Sequence, residues 1–385
     1  MSDLPLPLAG VRVLDFGRYI AGPYCAALLA DYGADVIRIE KEAGSEDRFV
    51  MPVADNGDGA LFLQMNRNKR GMAYDPTSAR GREITRKLVE TADIVVANLP
   101  DRTLERMGLD YPQLCTIKPD IILVTMSAFG TQGPWKDRVG FDSIGQAMCG
   151  AAYLSGSSAG PARTQVSWVD FSTAVHCAYG AVLAIMQRRA SGRGQHVQGS
   201  LLASAINGTN AQVIEQELAA RNRPPLGSEA AGAAPIGFFE TRGGWIVVHV
   251  VGQPIFDRLA RLLGRDDWPA DPAFASDLLR GDNREPILAV MRQWCAARMR
   301  DDALSALSTA RIPAGPVLAP GDILANEQVA AADLFHFRKV GDAAAMAPIA
   351  RAPLWMSGAN ADCRSAPSLG ADTLELLAEL GMETS

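Results

Sequence analysis

Two stretches of the 385-residue chain hold side chains in patterns that chemistry can use. The first is Asp15-Phe-Gly-Arg-Tyr-Ile-Ala-Gly-Pro23, which emerges from the apolar run Val11–Phe16. A strand that passes through a glycine-bearing turn into a helix N-terminus can bind phosphate through backbone N–H groups. Arg18 adds a cation at that turn. Gly17 and Gly22 do not have the GxGxxG spacing of the dinucleotide fingerprint. Taken alone, an ordinary turn between strand and helix accounts for the same glycines. The second stretch is Val166-Ser-Trp-Val-Asp170-Phe-Ser-Thr173, where Asp170 opens a long, mostly apolar helical pattern. An aspartate there either caps the helix or, facing a cleft, attacks an acyl group. Spacing alone does not choose between the two.

Other chemistries lack their residues. His176, His196, His249 and His336 are far apart and form no HExxH. Cys25, Cys115, Cys149, Cys177, Cys295 and Cys363 form no CxxC pair, so neither a metal nor a redox motif is supported. There is no GxSxG elbow and no GxxxxGK[ST] loop. A dehydrogenase would need the absent glycine fingerprint. The net charge of −6 argues against nucleic acid or an anionic membrane as partner. Met1–Gly10 lacks the basic and apolar regions of a signal peptide. The uncharged stretch Phe171–Met186 is short for a membrane span and holds His176 and Gly180. Scattered single cysteines fit a reducing cytoplasm, which is the expected location.

The elements that must position these residues alternate. Val11–Phe16, Asp35–Glu40, Asp93–Leu99 and Asp120–Met126 read as strands, and Pro23–Tyr32 and Ala79–Ala92 as helices. Runs such as IVV and IILV are apolar on both faces, as a buried parallel sheet requires. The expected fold class is therefore α/β, a doubly wound layer. A long helix is predicted from about Asp170 to Arg189, then a turn at Ser191–Gln195 and a strand-like HVQGSLL. Arg221–Pro235 reads as a linker, and Gly237–Val251 as a hairpin around Gly243-Gly244. Helical patterns follow at Pro254–Leu263, Glu285–Met299 and Glu375–Leu380. These readings give a large α/β domain over 1–225 and a small α+β domain over 226–325.

Taken together, the segments resemble the family III CoA-transferases, which include formyl-CoA:oxalate and carnitine CoA-transferases. The resemblance is carried, in order, by Leu8-Ala-Gly-Val-Arg-Val-Leu-Asp15, Ala21-Gly-Pro23 and Leu29-Ala-Asp-Tyr-Gly-Ala-Asp-Val-Ile-Arg-Ile-Glu40. It continues through Asn66-Arg-Asn-Lys-Arg70, Ala92-Asp-Ile-Val-Val-Ala-Asn98, Gly192-Arg-Gly-Gln-His-Val197, Ile312-Pro-Ala-Gly-Pro316 and Leu369-Gly-Ala-Asp-Thr373. It covers nearly the whole chain.

The resemblance implies a Rossmann-like large domain built from both chain ends, with 326–385 returning to it after an inserted small domain, and an interlocked homodimer. It implies Asp170 as nucleophile toward an acyl-CoA thioester. CoA then passes to a carboxylic acid through an aspartyl-CoA thioester, with no permanently bound cofactor. The CoA-contacting positions implied are Arg18, Ala21, Lys41, Tyr74, Asn98, Leu99 and Arg106, with Arg138 near a basic position used for the CoA phosphates. With an ordinary carboxylate pKa of about 3.9, Asp170 is expected to be ionised at neutral pH. Backbone N–H groups near Gly227–Gly232 are candidates for an oxyanion site. Ile20 stands where the formyl-CoA enzymes have a glutamine, and Gly227–Gly232 lacks their run of glycines; both point away from formyl-CoA and oxalate. Two alternatives share the fold: a non-catalytic CoA binder, and a 2-methylacyl-CoA racemase. The racemase needs a histidine before Asp142 as one of its two bases, and this chain has Phe141 there.

Overall fold

Parallel strands can be joined only by crossovers, and the alternation of strands and helices supplies them. We describe the fold from a computed structural model that covers residues 5–340, 346–359 and 363–383. Strands β1 (Arg12–Asp15), β2 (Asp35–Glu40), β3 (Arg70–Ala73), β4 (Ile94–Ala97), β5 (Ile122–Ser127) and β6 (His196–Ser200) form one sheet in the order β3-β2-β1-β4-β5-β6. Every neighbouring pair is parallel. This is the doubly wound order, and its switch point lies between β1 and β4.

The period-two pleat sends alternate residues to opposite cores. On one face Val13, Val36, Ile94, Val96, Ile122 and Val124 pack with helices Ala21–Asp31 and Trp168–Ser191. These helices meet through small residues, among them Ala26, Ala30, Ala174 and Ala181. On the other face Leu14, Ile37, Ile39, Val95, Ala97 and Leu123 pack against Ile84 and Leu88 of helix Ala79–Thr91 and Leu376 and Leu377 of the closing helix Thr373–Glu379. Helix Trp168–Ser191 is long and apolar enough to cross a membrane by composition alone. Its Ala174, Cys177 and Ile185 are instead buried in the first core.

The chain divides into two compact units. The first takes Met1–Cys149, Thr164–Asn210 and Asp333–Ser385, and holds the parallel sheet. The second takes Gly150–Arg163 and Ala211–Ala332. These bounds differ from the division at 226 and 326 expected from the sequence. The excursion Gly150–Arg163 joins the second unit because the Leu226 and Gly227 N–H groups donate to Leu154 O (3.1 Å) and Gly156 O (2.8 Å). Within that unit β7 (Ile236–Thr241), β8 (Gly244–His249) and β9 (Ala314–Pro316) form an antiparallel sheet in the order β7-β8-β9. Phe239, Ile246 and Val248 pack there with Phe256, Trp268 and Met291. The hairpin turns at Gly243-Gly244, as its glycines predict, with φ values of +95° and +135°.

Two strands of the parallel sheet depart from the sequence reading. Edge strand β3 was not anticipated, because four residues reading RGMA carry no apolar run. The strand-like HVQGSLL stops at Ser200, whose hydroxyl accepts the Ala203 N–H (3.1 Å) and starts the helix Leu201–Ala219.

Candidate active site

In a parallel sheet every strand delivers its C-terminal residue to the same edge. Arg18, Lys41, Tyr74 and Asn98 directly follow or closely trail β1, β2, β3 and β4, so all four reach that edge. At the switch point between β1 and β4, the turn after β1 is tied down by buried ion pairs and hydrogen bonds.

Asp15, the last residue of β1, is fully buried and accepts the Gly17 N–H (2.8 Å) and Lys69 Nζ (2.7 Å). Arg38 Nη1 stands 3.7 Å from the same carboxylate. Burial alone would raise the pKa of Asp15; Lys69, Arg38 and the Gly17 N–H outweigh it and hold the carboxyl below its ordinary range. Lys69 also donates to Pro23 O (2.8 Å) and Asn66 Oδ1 (2.9 Å). Burial brings the Lys69 ammonium down to about 8. Arg38 donates to Gly17 O and, by two bonds of 3.0 and 2.7 Å, to Asp47. At the last residue of helix Ala21–Asp31, Asp31 accepts from Arg67 (2.5 Å) and Asn68 (2.8 Å). The run Asn66–Lys69 thus pins the turn after β1 and its helix from beneath. Buried ions without partners cost several kcal/mol each, so their pairing is what makes the arrangement tolerable.

Gly17 and Gly22 are required by close approach. A Cβ on Gly17 would stand 2.9 Å from the Gly22 carbonyl carbon, and one on Gly22 2.9 Å from the Gly17 Cα. The turn they form latches onto β4: the Arg18 N–H donates to Asn98 Oδ1 (2.6 Å), and Asn98 Nδ2 returns a bond to Arg18 O (2.8 Å). The Arg18 guanidinium donates through Nη1 to Phe16 O (3.0 Å), Gly17 O (2.7 Å) and Ile39 O (3.3 Å). Burial first, and then Arg38, lower its pKa. Sequence reasoning missed Asp15, Arg38, Asn66 and Lys69 as site-builders. Their signal was a charge inside the apolar strand pattern DVIRIE and a lysine beside two asparagines.

The remaining expected positions differ in what they present. Ala21 is buried at the start of the helix after β1. Leu99 is half-buried and packs on the second core. The Tyr74 ring is buried there too, with its hydroxyl 2.9 Å from Thr85 Oγ1, so only its backbone reaches the sheet edge. Burial raises its pKa. Lys41 is exposed and paired with Glu46 at 2.6 Å. Arg106 is exposed in the last turn of helix Asp101–Met107. Arg138 is exposed over the Trp135 ring, 4.3 Å from its centroid.

Asp170 is the third residue of helix Trp168–Ser191, and it does not cap that helix; nor does the side chain of Ser167 at the N-cap. The cap comes from Asp142, in the first turn of helix Asp142–Met148. Its Oδ1 accepts the N–H groups of Val169 (2.8 Å) and Asp170 (3.3 Å), and its Oδ2 accepts Gln146 Nε2 (2.6 Å). Among the described residues no donor reaches the half-buried Asp170 carboxylate. Burial first, and then the Asp142 charge, push its pKa up to about 7. This corrects the expectation of a fully ionised carboxylate at neutral pH. Two ring contacts tie this region to the turn after β1: Phe171 meets Tyr24 edge to face at 4.9 Å, and Phe141 meets Tyr19 at 5.9 Å. Tyr19 itself has a left-handed φ of +61°, the kind of local strain that gathers at functional turns. The exposed Phe141 ring offers no base beside Asp142. Gly227, expected near an oxyanion site, belongs to the second unit and spends its N–H on Gly156 O.

The profile of CoA-transferase family III matches residues 8–373. The chain is 31% identical to the beta subunit of succinyl-CoA–L-malate CoA-transferase of Chloroflexus aurantiacus, over 84% of this chain and 81% of that one. It is 30% identical to succinate–glutarate CoA-transferase of Agrobacterium fabrum, over 99% of this chain and 98% of that one. Among solved structures, a CAIB/BAIF family protein from Brucella suis superposes with a TM-score of 0.85 at 29% identity, covering 98% of this chain and 100% of that one. A profile match over almost the full length, with 30% identity to a CoA-transferase over 99% of the chain, makes this chain a member of CoA-transferase family III.

Proposed function

We propose that the protein moves CoA from an acyl-CoA to a free carboxylic acid with Asp170 as the covalent carrier. The Asp170 carboxylate attacks the thioester carbonyl, a C–O bond forms, the C–S bond breaks, and a mixed anhydride and CoA thiolate result. The thiolate attacks the aspartyl carbonyl and expels the donor as its carboxylate, leaving an aspartyl-CoA thioester. The acceptor carboxylate attacks that thioester and releases the thiolate, which then takes the acceptor acyl group and frees Asp170. Arg18, Ala21, Lys41, Tyr74 (through its backbone), Asn98, Leu99, Arg106 and Arg138 line the path for CoA, the basic ones pairing with phosphate.

The observation that carries this reading is the Asp170 carboxylate itself. It is half-buried, unbonded among the described residues, and raised to about 7, which is the state of a reactive group rather than a structural one. Dicarboxylic acids head the substrate panel, because the two relatives are named for malate, succinate and glutarate. Two copies of the chain associate in this reading, interlocked as in the family. Helix Trp168–Ser191 exposes Val175, Tyr179, Leu183 and Met186 along one stripe, an apolar face suited to a second chain. Cys25 and Cys177, free thiols buried in one core, suit a reducing cytoplasm.

The test incubates the enzyme with acyl-CoA donors and carboxylic acids and reads CoA exchange by mass. Hydroxylamine or borohydride trapping then locates the modified residue. We expect the adduct on Asp170, and exchange lost in Asp170→Ala with CoA binding retained. Exchange at near-normal rate in that variant refutes the covalent reading.

A further inference from the structure

Asp142 is used by neither the CoA path nor the transfer steps, yet it is a buried carboxylate aimed at the nucleophile's helix. The geometry points to Asp142 as a positioning residue of the reaction: by closing the N-terminus of the Asp170 helix, it keeps Asp170 a free nucleophile instead of a helix-bound anion. This rests on the reading of Asp170 as the covalent carrier.

The N-terminus of a helix carries unsatisfied N–H groups and a partial positive charge. An aspartate in the first turn ordinarily turns back onto those groups, which stabilises its charge and lowers its basicity. Val169 and Asp170 are the second and third residues of this helix, and their N–H groups are the ones Asp142 takes. Asp170 is therefore left without them. Asp142 is in turn held by Gln146, whose Oε1 accepts the Thr164 N–H (2.9 Å) and whose Nε2 also reaches Val166 O (3.3 Å). Asp142 is thus oriented from its own helix and from the segment that leads into the nucleophile's helix.

Other elements packed on this helix do not compete for the role. Helix Ala21–Asp31 brings Tyr24, Cys25 and Asp31: Tyr24 meets Phe171, Cys25 lies in the core, and Asp31 is bound to Arg67. β6 brings His196, which is bonded to Thr125, and β5 brings no titratable side chain. Asp142 is the group whose charge opposes ionisation of Asp170.

The experiment titrates Asp170 directly, by carbon-13 NMR of aspartate-labelled protein with Asp170→Asn as the assignment control. Wild type is compared with Asp142→Ala, which frees the Val169 and Asp170 N–H groups, and with Asp142→Asn, which keeps a neutral acceptor near them and removes only the opposing charge. We expect both variants to move the Asp170 midpoint down by roughly one unit or more. The acid limb of kcat/KM should follow. kcat at pH 8 should fall about threefold per unit, for a nucleophile whose Brønsted slope is near 0.5 as in thiolate attack. CoA affinity should stay within about twofold of wild type. A purely structural role would lower stability without moving the midpoint. An unmoved midpoint in either folded variant overturns the inference, even when the trapped adduct is on Asp170. An adduct elsewhere overturns the Asp170 reading and this one with it, so the two failures are distinct.

Discussion

A carboxylate whose pKa is raised toward neutrality weakens the fold that holds it, and Asp170 allows that cost to be measured. Its pKa stands at about 7 against the ordinary 3.8. Between those values the folded protein binds more protons than the unfolded chain, so stability falls as pH rises. The contribution is fully present below about 3.8 and is lost once pH has passed about 7. A shift of about three units at about 1.4 kcal/mol each gives a cost of ~4 kcal/mol at pH 8.5. Partial exposure of the side chain screens this, and we expect about 2–4 kcal/mol. Asp170→Asn keeps the shape and removes the charge. It should therefore be more stable than wild type by that amount at pH 8.5, and by less than about 1 kcal/mol at pH 4. Urea unfolding of both proteins at the two pH values reads the difference, and other acid-labile groups cancel because both proteins share them. In a thermal scan the gain is about 1 °C per kcal/mol for a chain of this length. Equal stability at pH 8.5, or a less stable variant, would refute the claim that burial and Asp142 destabilise the ionised form.

Two further outcomes follow from the switch point. Lys69→Met leaves buried Asp15 with Arg38 at 3.7 Å as its remaining cation, and should cost roughly 3–5 kcal/mol in urea unfolding; a cost below 1 kcal/mol would show that Arg38 suffices. Asn98→Ala removes both bonds of 2.6 and 2.8 Å that latch the Arg18 backbone, and at about 1 kcal/mol each it should weaken CoA binding by roughly tenfold or more in calorimetry. Unchanged affinity would remove the latch from the CoA site.

The local pattern of the chain decided strands β1, β2, β4 and β5 and the long helices Ala79–Thr91 and Trp168–Ser191, because strand and helix periods are written in neighbouring residues. Asp35–Glu40 forms its strand over the expected residues, and the long helix runs over Trp168–Ser191 against an expected 170–189. β3 escaped, since a four-residue edge strand has too few residues to show a period. The motif residues also named the family on sequence alone, and the family profile agrees.

What no local pattern could reveal is the partner of each charge. Lys69 reaches Asp15 across 54 positions, and Asp142 caps a helix whose N–H groups lie 27 and 28 positions away. Read as a sequence, Asp170 was an ordinary ionised carboxylate with a choice between capping and chemistry. Its burial, its freedom from donors and the opposing charge of Asp142 come only from tertiary packing, because desolvation and Coulomb energy depend on distance in space rather than along the chain.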